Sequence, residues 1–464
     1  MGSMSSLYNP VFLGKIAASY LSDVDRVWRL SEEEIRKYQD KCLRKVVKYA
    51  YDVPLYHKKY KEAGVHPSDI KGVKDIEKLP FITKNDLREN YPNNIIPKGF
   101  DRKNGFLLST SGSTGRPVFV YYDLFSAIKS LEGLVRELKA YGGNWRKSKI
   151  VLVVDLSPGS IEHTVFAKSA MPFLKNFLSL KNIKYLDFGE KPEVLMQEIN
   201  DFKPEFIGSD PNILRKLAFL KKDGCGKDIK PKYIISSAAM LDGYTKNYVE
   251  NAFDARVLDA YGSTETGPVA FECTKGDYYH VHSDFVCVEF LDEEKKPVDY
   301  GKSGRIVVTK LYGKGTPMIR YTGLDDLAVP MRDRCSCGIN SQLIKRIEGR
   351  STDLIVLPDG KMMTPFTITG IPAEIMKDFK IYKIKQFQII QHKTDEIEIL
   401  VVIDDKLRNV GLPTERLLEE LKRRFSEKVG NDVKIIVNEV GEIKKDEKTG
   451  NIKVVISKVK KNTA

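Results

Sequence analysis

Four short apolar runs, 149-KIVLVVD-155, 205-EFIGSD-210, 232-KYIISSA-238 and 256-RVLDAYG-262, alternate with stretches of helical periodicity such as 211-PNILRKLAFLKKDG-224. Runs too short to be helices, separated by helix-length segments, predict parallel strands joined by crossover helices. The chain is therefore expected to fold as a large α/β N-terminal domain around a mostly parallel sheet. Upstream, 31-SEEEIRKYQDKCLRKVVKYAYDV-53 carries apolar positions at helical spacing behind Ser31, with Glu34 three residues on, the pattern of a capping box. From about residue 284 the runs shorten and alternate, as in 286-VCVEFLD-292 and 304-GRIVVTKL-311, which predicts an antiparallel β subdomain. After Arg350 two strand-like runs, 381–390 and 396–404, precede an amphipathic helix over 413–429 led by Pro413 and a last strand over 432–440. This is a small α+β unit, so the expected boundaries are 1–349 and 350–464.

A chain of 464 residues exceeds one ordinary core, and 42% hydrophobic with 30% charged residues places it among globular rather than disordered sequences. Met1-Gly2-Ser3-Met4 reads as an expression scar, no run approaches 18 apolar residues, and a cytoplasmic protein without membrane partners is expected. The net charge of +13 is spread among acids except in the tail 444-KKDEKTGNIKVVISKVKK-461. No basic stripe interleaved with aromatics is present, so nucleic acid is not an expected partner, whereas polyanionic small substrates suit the balance. Six cysteines in a chain this long do not make a disulfide framework.

Three segments carry chemistry. In 107-LLSTSGSTGRPVFVYYD-123, small and hydroxylated residues sit between two apolar runs, where backbone N–H groups can turn toward a phosphate. The spacing is not that of a Walker A loop, and a plain hairpin connection fits this segment equally. In 259-DAYGSTETGPVA-270, an aromatic, a hydroxyl and a carboxylate (Tyr261, Thr264, Glu265) follow a strand, a set suited to stacking on a purine, bonding a phosphate and holding Mg²⁺. In 316-TPMIRYTGLDDLA-328, paired acids suit ribose hydroxyls, with Arg320 nearby for charge.

In this order the three segments resemble those of the adenylate-forming enzymes, the superfamily of acyl-CoA ligases, adenylation domains and luciferase. The run 44-RKVVKYAYDVPLYHKKYKEAGVHPSDIKGVKDIEKLPFITKNDLRENYP-92 is similar to the entry region of phenylacetate-CoA ligases and their relatives, among them the capsular-polysaccharide and deazaflavin-coenzyme adenylate-forming proteins. The resemblance spans about residues 40 to 460. It implies that Thr110, Ser111, Gly112, Ser113, Thr114 and Gly115 close on the β- and γ-phosphates of ATP, that Tyr261 beside Gly262 stacks on adenine, that Thr264 meets the α-phosphate and that Glu265 holds Mg²⁺. It also implies ribose binding by Asp326, with Asp325 second, and a hinge at Arg350 about which a small mobile C-terminal domain turns. The partners implied are a carboxylic acid, ATP and coenzyme A, and a homodimer is compatible with them.

The sequence departs from that pattern in three places. Asn451 in 449-TGNIKVVISKV-459 stands where the family has its catalytic lysine, leaving Lys448 and Lys453 as stand-ins. The glycine-rich substrate segment of phenylacetate ligases is not evident in 153-VVDLSPGSIEHTVF-166, and their Ala-Glu-Pro becomes Ala238-Ala239-Met240, with Ala238 and Ala239 beside the nucleotide. Cys273, His280, Cys335 and Cys337 form a Cys₃His set of the kind some relatives use for a metal, which implies structural Zn²⁺; His282 competes with His280, Cys287 is expected to pack in a strand, and buried thiols without metal are the plain alternative. The activity implied is AMP-forming ligation of an aryl or related acid to coenzyme A. Adenylyl transfer without a thioester, and nucleotide binding without catalysis, are the competing readings.

Overall fold

Ser31 opens the first long helix as its sequence predicts. Its Oγ accepts from the Glu34 N–H (3.3 Å) and the Glu34 carboxylate accepts from the Ser31 N–H (2.8 Å), satisfying two of the donors a helix start leaves over. The helix runs Glu32–Tyr51 and buries Ile35, Leu43, Val46, Val47 and Ala50 on one face. This is a computed structural model, and it describes residues 10–103, 105–110, 117–156, 163, 179–444 and 452–459.

The chain divides into two compact units, Met1–Ala239 with Phe253–Leu324 and Ala328–Arg346, and Met240–Ala252 with Asp325–Leu327 and Ile347–Ala464. In the first, β1 (Gly105–Ser109) and β2 (Phe119–Asp123) form an antiparallel hairpin, and Asp123 caps the helix Leu124–Ala140 by accepting from the Ser126 N–H (2.9 Å). Next come β3 (Ile150–Val154), β4 (Ile183–Asp187), β5 (Phe206–Ser209), β6 (Tyr233–Ser236) and β7 (Arg256–Ser263). Their pairings β3 with β4, β3 with β5, β5 with β6 and β6 with β7 are all parallel. All four β5 residues are buried, as a central strand covered on both faces requires.

The alternating strands beyond β7 do not make a separate sheet. They are β8 (Gly267–Glu272), β9 (Tyr279–Val281), β10 (Val286–Leu291), β11 (Gly304–Lys310), β12 (Asp326–Met331) and β13 (Leu343–Arg350), and they extend the parallel section to eleven strands in the order β10-β11-β12-β13-β9-β8-β7-β6-β5-β3-β4. The direction changes at β7, whose neighbour β8 is antiparallel, with a bulge between Tyr261 and Gly262.

The second unit contains β14 (Ile355–Val356) paired with β15 (Met362–Met363), and a four-stranded sheet of β16 (Ile384–Lys393), β17 (Glu396–Ile403), β18 (Lys434–Glu439) and β19 (Val455–Ser457) in the order β18-β17-β16-β19. The helix Thr414–Val429 buries Leu417, Leu421, Phe425 and Val429, one residue per turn. Pro413 lies just ahead of it, outside the helical region at φ −52°, ψ 146°. Among the described residues no helix is long and apolar enough to cross a membrane.

Candidate active site and metal cluster

The bulge in β7 exists because Gly262 has no side chain. A Cβ there would lie 2.6 Å from the Gly267 carbonyl oxygen and 3.1 Å from Pro268 Cα. The close approach lets Ser263–Gly267 fold into a tight turn in which Ser263 Oγ accepts from the N–H groups of Glu265 and Thr266, both at 3.2 Å. The turn buries Glu265, leaving it 3% exposed, and leaves Thr264 and the β7 residue Tyr261 half-buried.

Two phenols from distant segments hold Glu265. Tyr122, on β2, donates to its carbonyl oxygen (3.1 Å), and Tyr321 donates to its Oε1 (2.7 Å). Behind Tyr122 the Lys310 ammonium stands 3.4 Å from the ring centroid, and burial lowers its pKa to about 7. Among the described residues, no lysine, arginine or histidine pairs with Glu265, whose Oε1 takes the Tyr321 hydroxyl. A carboxylate this buried needs a counter-charge, and an oxygen-liganded cation such as Mg²⁺ fits that need.

Other predicted residues are placed as follows. Thr110 closes the mouth of the β1–β2 connection, its N–H donating to the Val118 carbonyl and its Oγ1 accepting from the Val118 N–H, both at 3.0 Å. Ser111, Gly112, Ser113, Thr114 and Gly115 lie outside the described residues, as do Lys448 and Asn451. Ala238, exposed beside Ala239 after β6, takes a left-handed φ of 70°, an uncommon conformation for a residue with a side chain. Arg320 does not serve as a charge beside the acids: it is buried, pairs through Nη2 with Glu289 Oε1 (2.8 Å) and donates through Nη1 to the carbonyls of Glu77 and Leu79 (2.9 Å each).

In the second unit, Asp325 has φ 59° and its carbonyl accepts from the Ser351 N–H (2.7 Å), next to Arg350 at the end of β13. Asp326 is the first residue of β12. Lys453 is half-buried, and its carbonyl accepts from Gln388 Nε2 (2.8 Å). Sequence reasoning did not find Tyr122, Tyr321 or Lys310, because single tyrosines and a lysine carry no local signal.

The four residues of the Cys₃His set meet, with all their ligand atoms within 4.8 Å of one another. Cys273 Sγ is 3.5 Å from Cys335 Sγ, and Cys337 Sγ is 3.2 Å from His280 Nε2. A tetrahedral zinc with Zn–S bonds of about 2.3 Å would set sulfurs about 3.8 Å apart, so the donors fit that ion with little movement. His280 Nδ1 is fixed by Ser341 Oγ (3.0 Å), which turns Nε2 toward the thiols, and Tyr278 donates to Cys335 Sγ (2.8 Å). The hydrogen bond from Cys337 holds the pKa of the Cys273 thiol below the ordinary thiol range. His282 takes no part: Arg136 Nη1 donates to its Nδ1 (3.1 Å), and its Nε2 donates to Glu137 (3.0 Å). Cys287 is buried within β10.

Comparison with known proteins bears on both units. The family model described as AMP-binding enzyme matches residues 28–312, and the CapK C-terminal domain model matches 363–458. A phenylacetate-coenzyme A ligase of Thermus thermophilus is 25% identical over 430 residues, covering 87% of this chain and 91% of that protein. A Pseudomonas putida protein of the same name is 27% identical over 442 residues, with 91% and 94% covered. The crystal structure of 2-hydroxyisobutyryl-CoA ligase in its postadenylation state has the same fold, with a TM-score of 0.77 at 21% identity over 92% of this chain and 90% of that one. The chain belongs to the AMP-binding enzyme family, on the phenylacetate-CoA ligase-like branch of the adenylate-forming enzymes.

Proposed function

We propose that the protein is an AMP-forming acid-CoA ligase that activates a carboxylic acid with ATP and passes the acyl group to the thiol of coenzyme A. The observation that carries the reading is Glu265, a buried carboxylate with a phenol on one oxygen and, among the described residues, no basic partner. A Mg²⁺ ion held there would neutralise phosphate oxygens. In the first half-reaction a carboxylate oxygen of the acid bonds to the α-phosphorus while the bond to the bridging oxygen of pyrophosphate breaks, the electron pair leaving with pyrophosphate. In the second, the sulfur of coenzyme A bonds to the acyl carbon, AMP leaves with the electron pair, and the thiol proton passes to solvent.

Thr264 is assigned to the α-phosphate, Tyr261 beside Gly262 to the adenine ring, and residues 110–115 to the outer phosphates. Asp326, with Asp325 second, is assigned to the ribose, and Arg350 to the linker between the units. Lys453 and Lys448 are the candidates to meet the charge that the family's lysine would meet at position 451. The Cys₃His cluster is assigned to a structural zinc, which its convergent donor set supports. Similarity to phenylacetate ligases supports an aromatic acid, and Ala238-Ala239-Met240 argues against phenylacetate itself. Asn451 favours a second reading, adenylyl transfer to a hydroxyl acceptor without coenzyme A.

Glu265→Gln keeps the side-chain shape and removes the charge. Acid-dependent AMP release is expected to fall roughly 100-fold or more, with an unchanged melting temperature. A wild-type rate in this variant would sink the assignment.

A further inference from the structure

Glu265 is held at three points: its N–H by Ser263, its carbonyl by Tyr122 and its Oε1 by Tyr321. The Tyr321 side of this arrangement is built with unusual care. Tyr321 is fully buried, and its backbone exchanges hydrogen bonds with Val308 at 2.9 and 3.1 Å. Arg320 before it adopts φ 47°, a conformation arginine seldom takes, and is kept there by Glu289, by the carbonyls of Glu77 and Leu79, and by the Phe81 ring 4.0 Å from its guanidinium carbon. Gly323 after it supplies the room for the ring, because a Cβ there would lie 2.3 Å from both Cζ and the hydroxyl oxygen of Tyr321. The flanking residues thus direct one phenol at one carboxylate oxygen.

We infer that Tyr321 is a positioning residue for the cation that accompanies ATP: by donating to Glu265 Oε1 it leaves Oε2 as the single carboxylate oxygen offered to the metal. The inference rests on the reading of Glu265 as the metal-holding carboxylate. Mg²⁺ demands near-ideal octahedral geometry, whereas Ca²⁺ readily accepts both oxygens of one carboxylate. A phenol on Oε1 blocks the two-oxygen mode and so favours the smaller ion.

The test is a titration of Mn²⁺, standing in for Mg²⁺, into protein with α,β-methylene ATP, following free Mn²⁺ by electron paramagnetic resonance and then competing with Ca²⁺. Tyr321→Phe is expected to weaken Mn²⁺ binding roughly ten-fold and to make Ca²⁺ a relatively better competitor, with the KM for coenzyme A unchanged. Glu265→Gln is expected to weaken Mn²⁺ binding further. Wild-type binding and selectivity in Tyr321→Phe, alongside weakened binding in Glu265→Gln, would overturn the inference and leave the functional reading intact. Wild-type binding in Glu265→Gln would overturn the metal assignment itself. If Tyr321→Phe does not fold, Gly323→Ala, which displaces the ring but keeps its hydroxyl, must show the same shift, and wild-type binding there counts against the role.

Discussion

Glu137 and His282 show how much a single buried pair decides. Both are buried, and His282 Nε2 donates to Glu137 Oε1 at 3.0 Å. Burial pushes the Glu137 carboxyl up to about 8 against the attraction of Arg136, and burial, aided by Arg136, lowers His282 well below its ordinary range. A carboxyl raised on folding stabilises the native state fully below its unfolded pKa, here about 4.5, and loses that contribution as pH rises through about 8. Glu137→Gln mimics the protonated form, so its stability relative to wild type is expected to increase steadily from pH 5 to pH 8 in denaturant titrations. Equal pH dependence in the two proteins would refute the buried neutral carboxyl. The choice between His280 and His282 as the metal-facing imidazole was not legible from 279-YHVH-282, because it is made by Arg136 and Glu137, far away in the chain. Tyr261, Thr264 and Glu265 could be picked out as candidates because they share one short motif, whereas Tyr321 meets Glu265 only through the fold.

Among the elements, β3, β5, β6 and β7 were readable because apolar runs and helical spacers alternate in order, whereas β4, Ile183–Asp187, was not among the runs read. What could not be read was that β8 to β13 continue the same sheet, since their pairings join distant segments, as in β9 with β13. The four-stranded sheet of the second unit was partly readable, but its link to β14 was not, because it depends on the side chain of one buried residue of β16, Gln391. Gln391 Nε2 donates to the Val356 carbonyl (2.6 Å), and its Oε1 accepts from the Val356 N–H (3.1 Å) and from Ser457 Oγ (2.8 Å). One amide thus satisfies both backbone groups of Val356 and ties β14 to β19. Gln391→Leu leaves those groups without partners and is expected to cost about 2 kcal/mol or more, seen as a lower unfolding midpoint. A shift worth less than about 0.5 kcal/mol, the scale of an ordinary surface change, would show that the link is not structural.

For the whole molecule, the Cys₃His cluster ties the β8–β9 hairpin to the segment before β13, so metal content and stability are expected to change together. Metal analysis of protein purified without chelator should find about one zinc per chain, and Cys335→Ser should lose the zinc and melt at lower temperature. Protein without zinc would remove that assignment. The central claim is ligation of an acid to coenzyme A, and the measurement that tests it most directly is AMP release from ATP and Mg²⁺ across aryl, fatty and small acids and phenolic acceptors, with and without coenzyme A. AMP release that requires an acid and rises with coenzyme A is the predicted result. Turnover indifferent to coenzyme A, or none with any acid, would contradict it.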